Sequence, residues 1–253
     1  MSVQVPVRTA GPAAARRAWV EQVMGMPVSV HVRGEHAHDR STARAVGAVY
    51  AQLRDVDRTF SPYRPDSQIS RYQRGELALA DCAPEVLEVH RLCLSALVAT
   101  DGAVDAWRWS PAGYDPTGVV KGWAVERALT LLDDVPGDVA IDAGGDLAVR
   151  ADPAGPGWLV AVEDPRERGG VVATVRVHSG AVATSGTAAR GRHLIDPATR
   201  EPAANGVLSA TVVGPSLTWA DVWASAVAIR GGTGPGGTSG VVVPADGPPR
   251  TWG

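Results

Sequence analysis

Two cysteines and a single phenylalanine occur among 253 residues. Cys82 and Cys93 have no C-x-x-C spacing, so they read as structural thiols and argue against a disulfide scaffold. The net charge is -3 and there is no long Lys/Arg run. That excludes a phosphate-tracking basic stripe, so no nucleic-acid partner is expected. No apolar run reaches membrane-spanning length, so no membrane segment is expected either. Arg16-Arg17 has the look of a twin-arginine signal, but the following W-V-E-Q-V-M-G-M-P is not an apolar targeting segment. The expectation is a cytoplasmic protein with a loose tail over residues 1–18 and one domain over 19–253. There is no G-x-x-x-x-G-K-[ST] loop and no G-x-S-x-G elbow, and Asp142-Ala143-Gly144-Gly145-Asp146 has neither the third glycine nor the following helix of a dinucleotide fingerprint.

What is present is an irregular succession of strands and helices. V-S-V-H-V at 28–32 alternates as a strand. Residues 41–60 read as a helix with Ala45, Val46, Val49, Tyr50, Leu53 and Val56 on one face, and two prolines break it at 61–67. A second helix runs over 84–100 from Pro84, and a third over 119–132 behind Gly118. Residues 139–149 read as two strands about Gly144-Gly145, a hairpin turn. Strands follow at 158–162, 171–177, 207–213 and 240–244, with a helix over 219–229 and a glycine-rich loop over 231–240. Without βαβ regularity the class is α+β. The eight tryptophans are scattered and read as core or pocket wall.

The chemistry concentrates between 184 and 228. Asp221 and Ser225 lie four apart on a helical pattern, so both oxygens face one way. Such a pair suits Mg²⁺, which needs one or two protein oxygens and takes the rest from phosphate and water. The local alternative is a capping box over 218–221, in which Asp221 only stabilises the helix start. His193, behind a glycine-containing turn with two arginines, reads as a base or phosphate-binding group, or as a satisfied structural histidine. Tyr114-Asp115-Pro116-Thr117-Gly118-Val119-Val120-Lys121-Gly122 puts an acid, a glycine and a lysine around a helix N-terminus, where anions are favoured. Ala183-Thr184-Ser185-Gly186-Thr187 reads as a hydroxyl-lined loop around phosphate or as a plain turn.

In order, these segments resemble the ApbE family of flavin transferases, from about residue 24 to 243. Met24-Gly25-Met26 is similar to M-G-T, and Phe60-Ser61-Pro62-Tyr63 with Asp66-Ser67-Gln68-Ile69-Ser70-Arg71 to L-S-x-Y…D-S-x-I-x-R. Asp101-Gly102-Ala103-Val104-Asp105 is similar to D-G-A-F-D, the stretch from Asp115 through Gly122 to D-L-G-G-I-A-K-G, and Gly144-Gly145-Asp146 to G-G-D. Ala183-Thr184-Ser185-Gly186, His193-Leu194-Ile195-Asp196-Pro197 and Ala220-Asp221…Ser225 resemble A-T-S-G, H-I-I-D-P and A-D-x-x-x-T. The resemblance implies a bilobal α+β fold with mixed or antiparallel sheets, flanking helices and an FAD cleft between the lobes. It implies Mg²⁺ held by Asp221, the Ser225 hydroxyl and the Gly118 carbonyl. It places Met24, Tyr63, Ala103, Val104, Asp105, Asp115, Lys121, Ser185 and Ile195 on FAD, with His193 assisting the attacking hydroxyl. The implied reaction moves FMN from FAD to a Thr or Ser of an acceptor flavoprotein and releases AMP. FAD hydrolysis to FMN and AMP, and FAD binding without turnover, are the alternatives. This chain departs from the family pattern in Ser225 for Thr, Thr117 for Gly, Glu126 for Asp and a shortened segment between Asp105 and Asp115.

Overall fold

The computed structural model describes residues 15–186 and 194–253. The elements are β1 (Arg16–Val23), β2 (Met26–Arg33), α1 (Arg40–Phe60), α2 (Gln68–Gln73), α3 (Pro84–Ala99), α4 (Thr117–Thr130), β3 (Asp138–Ala143), β4 (Asp146–Arg150), β5 (Trp158–Glu163), β6 (Val171–Val177), β7 (Ser179–Gly186), β8 (Ile195–Asp196), β9 (Glu201–Pro202), β10 (Val207–Gly214), α5 (Leu217–Arg230), β11 (Ser239–Pro244) and β12 (Arg250–Trp252). Eight strands form one antiparallel sheet in the order β1-β2-β3-β4-β7-β10-β11-β12. The hairpins β5-β6 and β8-β9 stand as separate two-stranded sheets. The class is α+β, as the irregular element order predicts.

One face of the sheet carries the helices and the main core. Helix α1 lays Val46, Val49, Tyr50, Leu53, Val56 and Phe60 into it at helical spacing. The Tyr50 hydroxyl donates to the main-chain oxygens of Trp19 and Val28, at 2.9 and 3.1 Å. On the other face, Val160 and Val177 of the β5-β6 hairpin pack on Ala140, Val149 and Val182. There the Arg33 guanidinium stacks 3.5 Å from the Trp158 ring centroid. Trp123 is buried, and Trp19, Trp107, Trp109, Trp158, Trp219, Trp223 and Trp252 are partly buried against the core clusters.

Helix α5 is the central element. It packs on β7, β10 and α4, and eleven of its residues are buried: Leu217, Thr218, Ala220, Asp221, Val222, Ala224, Ser225, Ala226, Val227, Ala228 and Ile229. Burial on all sides removes the amphipathic stripe by which surface helices are recognised. Alanines allow close approach, and Gly122 of α4 allows more. A Cβ at Gly122 would lie 2.8 Å from both the Leu217 carbonyl oxygen and the Thr218 Cα.

Three sequence expectations need correction. Residues 16–18, assigned to the tail, open β1, and Arg16 pairs with Arg33. Alternating exposure along β1 kept it from standing out as an apolar run. The segment containing Ala183, Thr184, Ser185 and Gly186 is the end of strand β7, not a loop or turn. Its small and hydroxyl residues pair with β10, Thr184 opposite Thr211 and Ser185 opposite Ala210. The third helix ends at Thr130 and begins at Thr117, one residue before Gly118. Among the described residues, no helix is long and apolar enough to cross a membrane.

Gly122→Ala should lower stability by about 1–3 kcal/mol, because the backbone of α5 cannot yield as a side chain would. Gly47→Ala is the contrast: its Cβ would meet nothing within 4 Å on the exposed side of α1. That change should raise stability by up to about 1 kcal/mol. Urea unfolding of the two variants against the parent checks both signs.

Candidate functional site

The sheet's strand register brings several turns and ends together. Val28 of β2 lies opposite Ala143 of β3, Ala143 opposite Asp146 of β4, and Leu147 opposite Val182 of β7. The β1-β2 turn at Met24-Gly25, the β3-β4 turn at Gly144-Gly145 and the end of β7 therefore share one end of the sheet. Met24, Gly144 and Gly145 all have positive φ, at 55, 65 and 99°. The Asp142 carboxylate closes the second turn by accepting the Gly145 N–H at 2.8 Å.

At this end, residues from α4, β4, β7 and α5 meet. Asp146, 1% exposed, opens β4 directly after the turn. Its Oδ1 accepts the Thr184 N–H at 2.9 Å, and its Oδ2 pairs with the Lys121 ammonium. Lys121 Nζ also lies 3.5 Å from Asp221 Oδ1. Asp221 is 3% exposed and Ser225, one turn further along α5, is 8% exposed. Ser225 Oγ is 3.0 Å from Ser185 Oγ of β7. One ammonium is thus paired with two carboxylates, and two hydroxyls with each other, where these four elements meet. A buried carboxylate costs several kcal/mol unless paired, and Lys121 offsets part of that cost for both Asp146 and Asp221.

Helix α5 does not need Asp221 as a cap. Its N-cap is Ser216, whose hydroxyl accepts the Trp219 N–H at 3.3 Å. Glu126 reaches across from α4, and its Oε2 accepts from Ser216 Oγ, Thr218 N and Thr218 Oγ1 at 2.9, 3.1 and 2.5 Å. The capping-box alternative over 218–221 therefore fails, and Asp221 sits in the second turn. Its carboxylate and the Ser225 hydroxyl are hard oxygen donors of the kind magnesium takes. Among the described residues, no three His, Cys, Asp or Glu side chains form a metal cage. The donor set thus fits an ion that needs few protein ligands, and does not fit a closed structural zinc site.

Other residues singled out in the sequence lie around this cluster or apart from it. Gly118 is in the first turn of α4, one turn before Lys121. The Trp109 indole lies against it, since a Cβ there would come within 1.8 Å of the ring, and Trp109 Nε1 donates to the Asp115 carbonyl at 2.9 Å. Asp115 Oδ1 accepts the Thr117 N–H at 3.0 Å and so fixes the entry to α4. Asp105 is buried, and its Oδ1 accepts the Trp107 N–H at 2.9 Å. Ala103 and Val104 turn their side chains into the core, which leaves only their main chain for a ligand. Tyr63 is 92% exposed. It lines an open cavity of about 360 Å³ with Pro62, Pro65, Ser70, Gln73, Arg74 and Ala112. Ala112 brings the short 105–115 segment to that cavity. Ile195 pairs with Pro202 in the small β8-β9 ribbon, and β8 lies near α5. His193 lies outside the described residues.

Sequence reasoning did not single out Asp146, Glu126 or Trp109 as parts of this arrangement. For Asp146 a signal existed: an acid immediately after a Gly-Gly turn, at the head of a strand otherwise apolar in its buried positions. Behind the short segment, Tyr114 packs against Tyr72, His90 and Trp107, with ring centroids 5.7, 5.4 and 5.3 Å away. Burial pushes the Tyr114 hydroxyl far up and the Cys93 thiol up to about 12, consistent with a structural thiol.

A sequence model of the ApbE family matches residues 24–107 and 110–234. The chain is 29% identical over 128 residues to the FAD:protein FMN transferase of Salmonella typhimurium. That match spans 46% of this chain and only 37% of the relative's length. Among solved structures, the flavin transferase ApbE from Vibrio cholerae superposes with a TM-score of 0.78 at 20% identity, covering 94% of this chain and 97% of that one. The ApbE protein from Thermotoga maritima gives 0.79 at 19% identity, covering 93% and 96%.

The aromatic cluster yields a pH prediction. Burial lowers the pKa of His90 below its ordinary 6.5. The unfolded chain therefore takes the proton first. Stability present above about pH 6.5 should be lost as the pH falls through the lowered folded value. His90→Phe keeps a ring against Trp107 and Tyr114, and its urea midpoint should fall less between pH 7.5 and 5.5 than that of the parent.

Proposed function

This chain belongs to the ApbE family, and on that premise we propose that it is a flavin transferase that moves FMN from FAD to a Thr or Ser hydroxyl of an acceptor flavoprotein. The observation that carries the reading is the junction of Lys121, Asp146, Asp221, Ser185 and Ser225, in which Asp146, Asp221 and Ser225 are buried. It combines a cation for phosphate with hard oxygens for a divalent ion, and the burial of Asp146, Asp221 and Ser225 strengthens electrostatic interactions there.

In this reading the FAD pyrophosphate lies over the N-terminus of α4 and the Lys121 ammonium. Helix N–H groups and the fixed positive charge both favour it there. Asp221, the Ser225 hydroxyl and the Gly118 carbonyl hold Mg²⁺. When bound, the ion neutralises the pyrophosphate and stabilises AMP as it leaves. Met24, Tyr63, the Ala103-Val104-Asp105 turn, Asp115, Ser185 and Ile195 hold the rest of FAD. The acceptor hydroxyl oxygen forms a bond to the FMN phosphorus while the phosphoanhydride bond to AMP breaks. His193 takes the hydroxyl proton, a task suited to an imidazole that is neutral near pH 7.

The test is incubation with FAD, Mg²⁺ and a candidate acceptor, followed by intact mass of the acceptor and an AMP assay. The expected result is an acceptor heavier by one FMN less water, with AMP in equal amount. AMP without a heavier acceptor would make the protein an FAD pyrophosphatase, and bound FAD without AMP a binding protein. Asp221→Ala should nearly abolish AMP release with the fold retained.

His193→Ala should slow transfer by about a hundredfold or more with FAD affinity little changed. A variant that transfers at the parent rate but binds FAD weakly would instead make His193 a cofactor contact.

A further inference from the structure

The short segment between Asp105 and Asp115 closes on itself, because the Asp115 N–H donates to the Ala106 carbonyl at 2.7 Å. Trp109 lies inside that loop and reaches both residues that the functional reading places at the head of α4. Its Nε1–H donates to the Asp115 carbonyl at 2.9 Å, and the far edge of its indole packs on Gly118. A Cβ at Gly118 would stand 2.7 and 2.8 Å from the Cζ2 and Cζ3 atoms of that edge, and closer still to Cη2 between them. The ring thus occupies the place of a side chain at 118. The turn it leans on is loosely capped. Its N-cap, Pro116, makes no side-chain hydrogen bond to it, and the Val119 and Val120 N–H groups share the one Pro116 carbonyl at 2.9 and 3.0 Å. Trp109 stands in the gap between the two stretches that match the family model, so that match assigns it no role.

We propose that Trp109 is a positioning residue for the cation: its indole fixes the main chain of Gly118 where the carbonyl can ligate Mg²⁺ on the FAD diphosphate. The inference deepens the functional reading above and rests on it. A main-chain ligand has no rotamer to adjust, so it stands where its backbone stands. Terminal turns of helices open at low cost, and glycine has more backbone freedom than any other residue. Gly118, in the first turn of α4, combines both sources of looseness. The indole blocks movement toward itself, and its tether to Asp115 keeps it from swinging aside. Magnesium demands near-octahedral geometry with ligands at about 2.0–2.1 Å, so a small displacement of one ligand costs affinity. In this role Trp109 needs no contact with FAD or with the ion. That separates it from a wall of the flavin pocket, whose loss would weaken FAD equally with and without the ion. It also separates it from a structural residue, whose loss would change stability alone.

The test is the FAD affinity of the full chain, from quenching of flavin fluorescence, measured in Mg²⁺ and again in EDTA without added metal. The ratio of the two Kd values is the Mg²⁺ enhancement, a measure of the coupling between ion and FAD. Trp109→Phe keeps an aromatic ring but withdraws the edge that meets Gly118. It should cut the enhancement to about a third of the parent's or less, while Kd in EDTA changes less than about twofold. Gly118→Ala puts a methyl group where the ring stands and should lower the enhancement as well. Adding Trp109→Phe to Gly118→Ala lets that methyl fill the space of the lost edge, and should return the enhancement to within about twofold of the parent. An unchanged enhancement in Trp109→Phe, with or without a lower urea midpoint, would overturn the proposal. So would an equal loss of affinity in Mg²⁺ and EDTA, or no recovery in the double variant. Trp109→Phe decides the case alone if Gly118→Ala does not fold. A parent whose FAD affinity changes less than about threefold with Mg²⁺ would remove the cation reading, and this inference with it. A parent that responds to Mg²⁺ beside a Trp109→Phe variant that responds equally would leave the cation reading standing and the role of Trp109 wrong.

Discussion

A carboxylate in the middle of an apolar helix constrains everything packed around it. Asp221 is on α5, which is buried against β7, β10 and α4, and water cannot solvate its charge. The compensation comes from Lys121 of α4, so α4 must lie close and in register. That closeness is possible because position 122 is glycine and the α5 backbone can approach it. Glu126, one turn after Gly122 on α4, accepts three hydrogen bonds from the start of α5 and sets that register from the other side. The contact between the two helices thus serves packing and chemistry together.

The large sheet supplies the rest of the junction. Antiparallel pairing puts the head of β4 beside the end of β7, which carries Asp146 and Ser185 to the same end. Strands hold such groups with little freedom, and the rigid β3-β4 turn at Gly144-Gly145 adds to this. Polar groups gathered on regular elements are better fixed than on loops. The exceptions are the groups around the rim. Tyr63 is open to solvent, whereas the short segment between Asp105 and Asp115 is anchored by buried Tyr114 and by Trp109 on Gly118 and meets the solvent-open cavity through Ala112. Solved structures at 20% and 19% identity share the overall fold with this chain.

Much of the helical architecture is legible from the residues alone. The apolar stripe of α1, the proline at the head of α3 and the Gly-Gly hairpin before β4 are local signals with local causes. β1 is harder to read because it is half exposed, and its role as a sheet edge depends on pairing with β2. The end of β7 reads as a turn because Thr, Ser and Gly favour turns in isolation; pairing with β10 overrides that preference. Asp221 and Ser225 are visible as a pair because helical periodicity alone puts them on one side.

What the sequence by itself determined is therefore the order and type of most elements, the family pattern and the residues with reactive or metal-seeking side chains. Its motifs are short and local, and each can be weighed without knowing its neighbours in space. Tertiary structure alone decided which of them share an environment. It brought Asp146 to Lys121 across 25 positions of chain, placed Ser185 on Ser225 across 40, and gave the capping of α5 to Ser216 and Glu126 rather than Asp221. Those outcomes follow from strand register and from the close approach of two helices. Neither has a signature in a single segment, because both are properties of two backbones together.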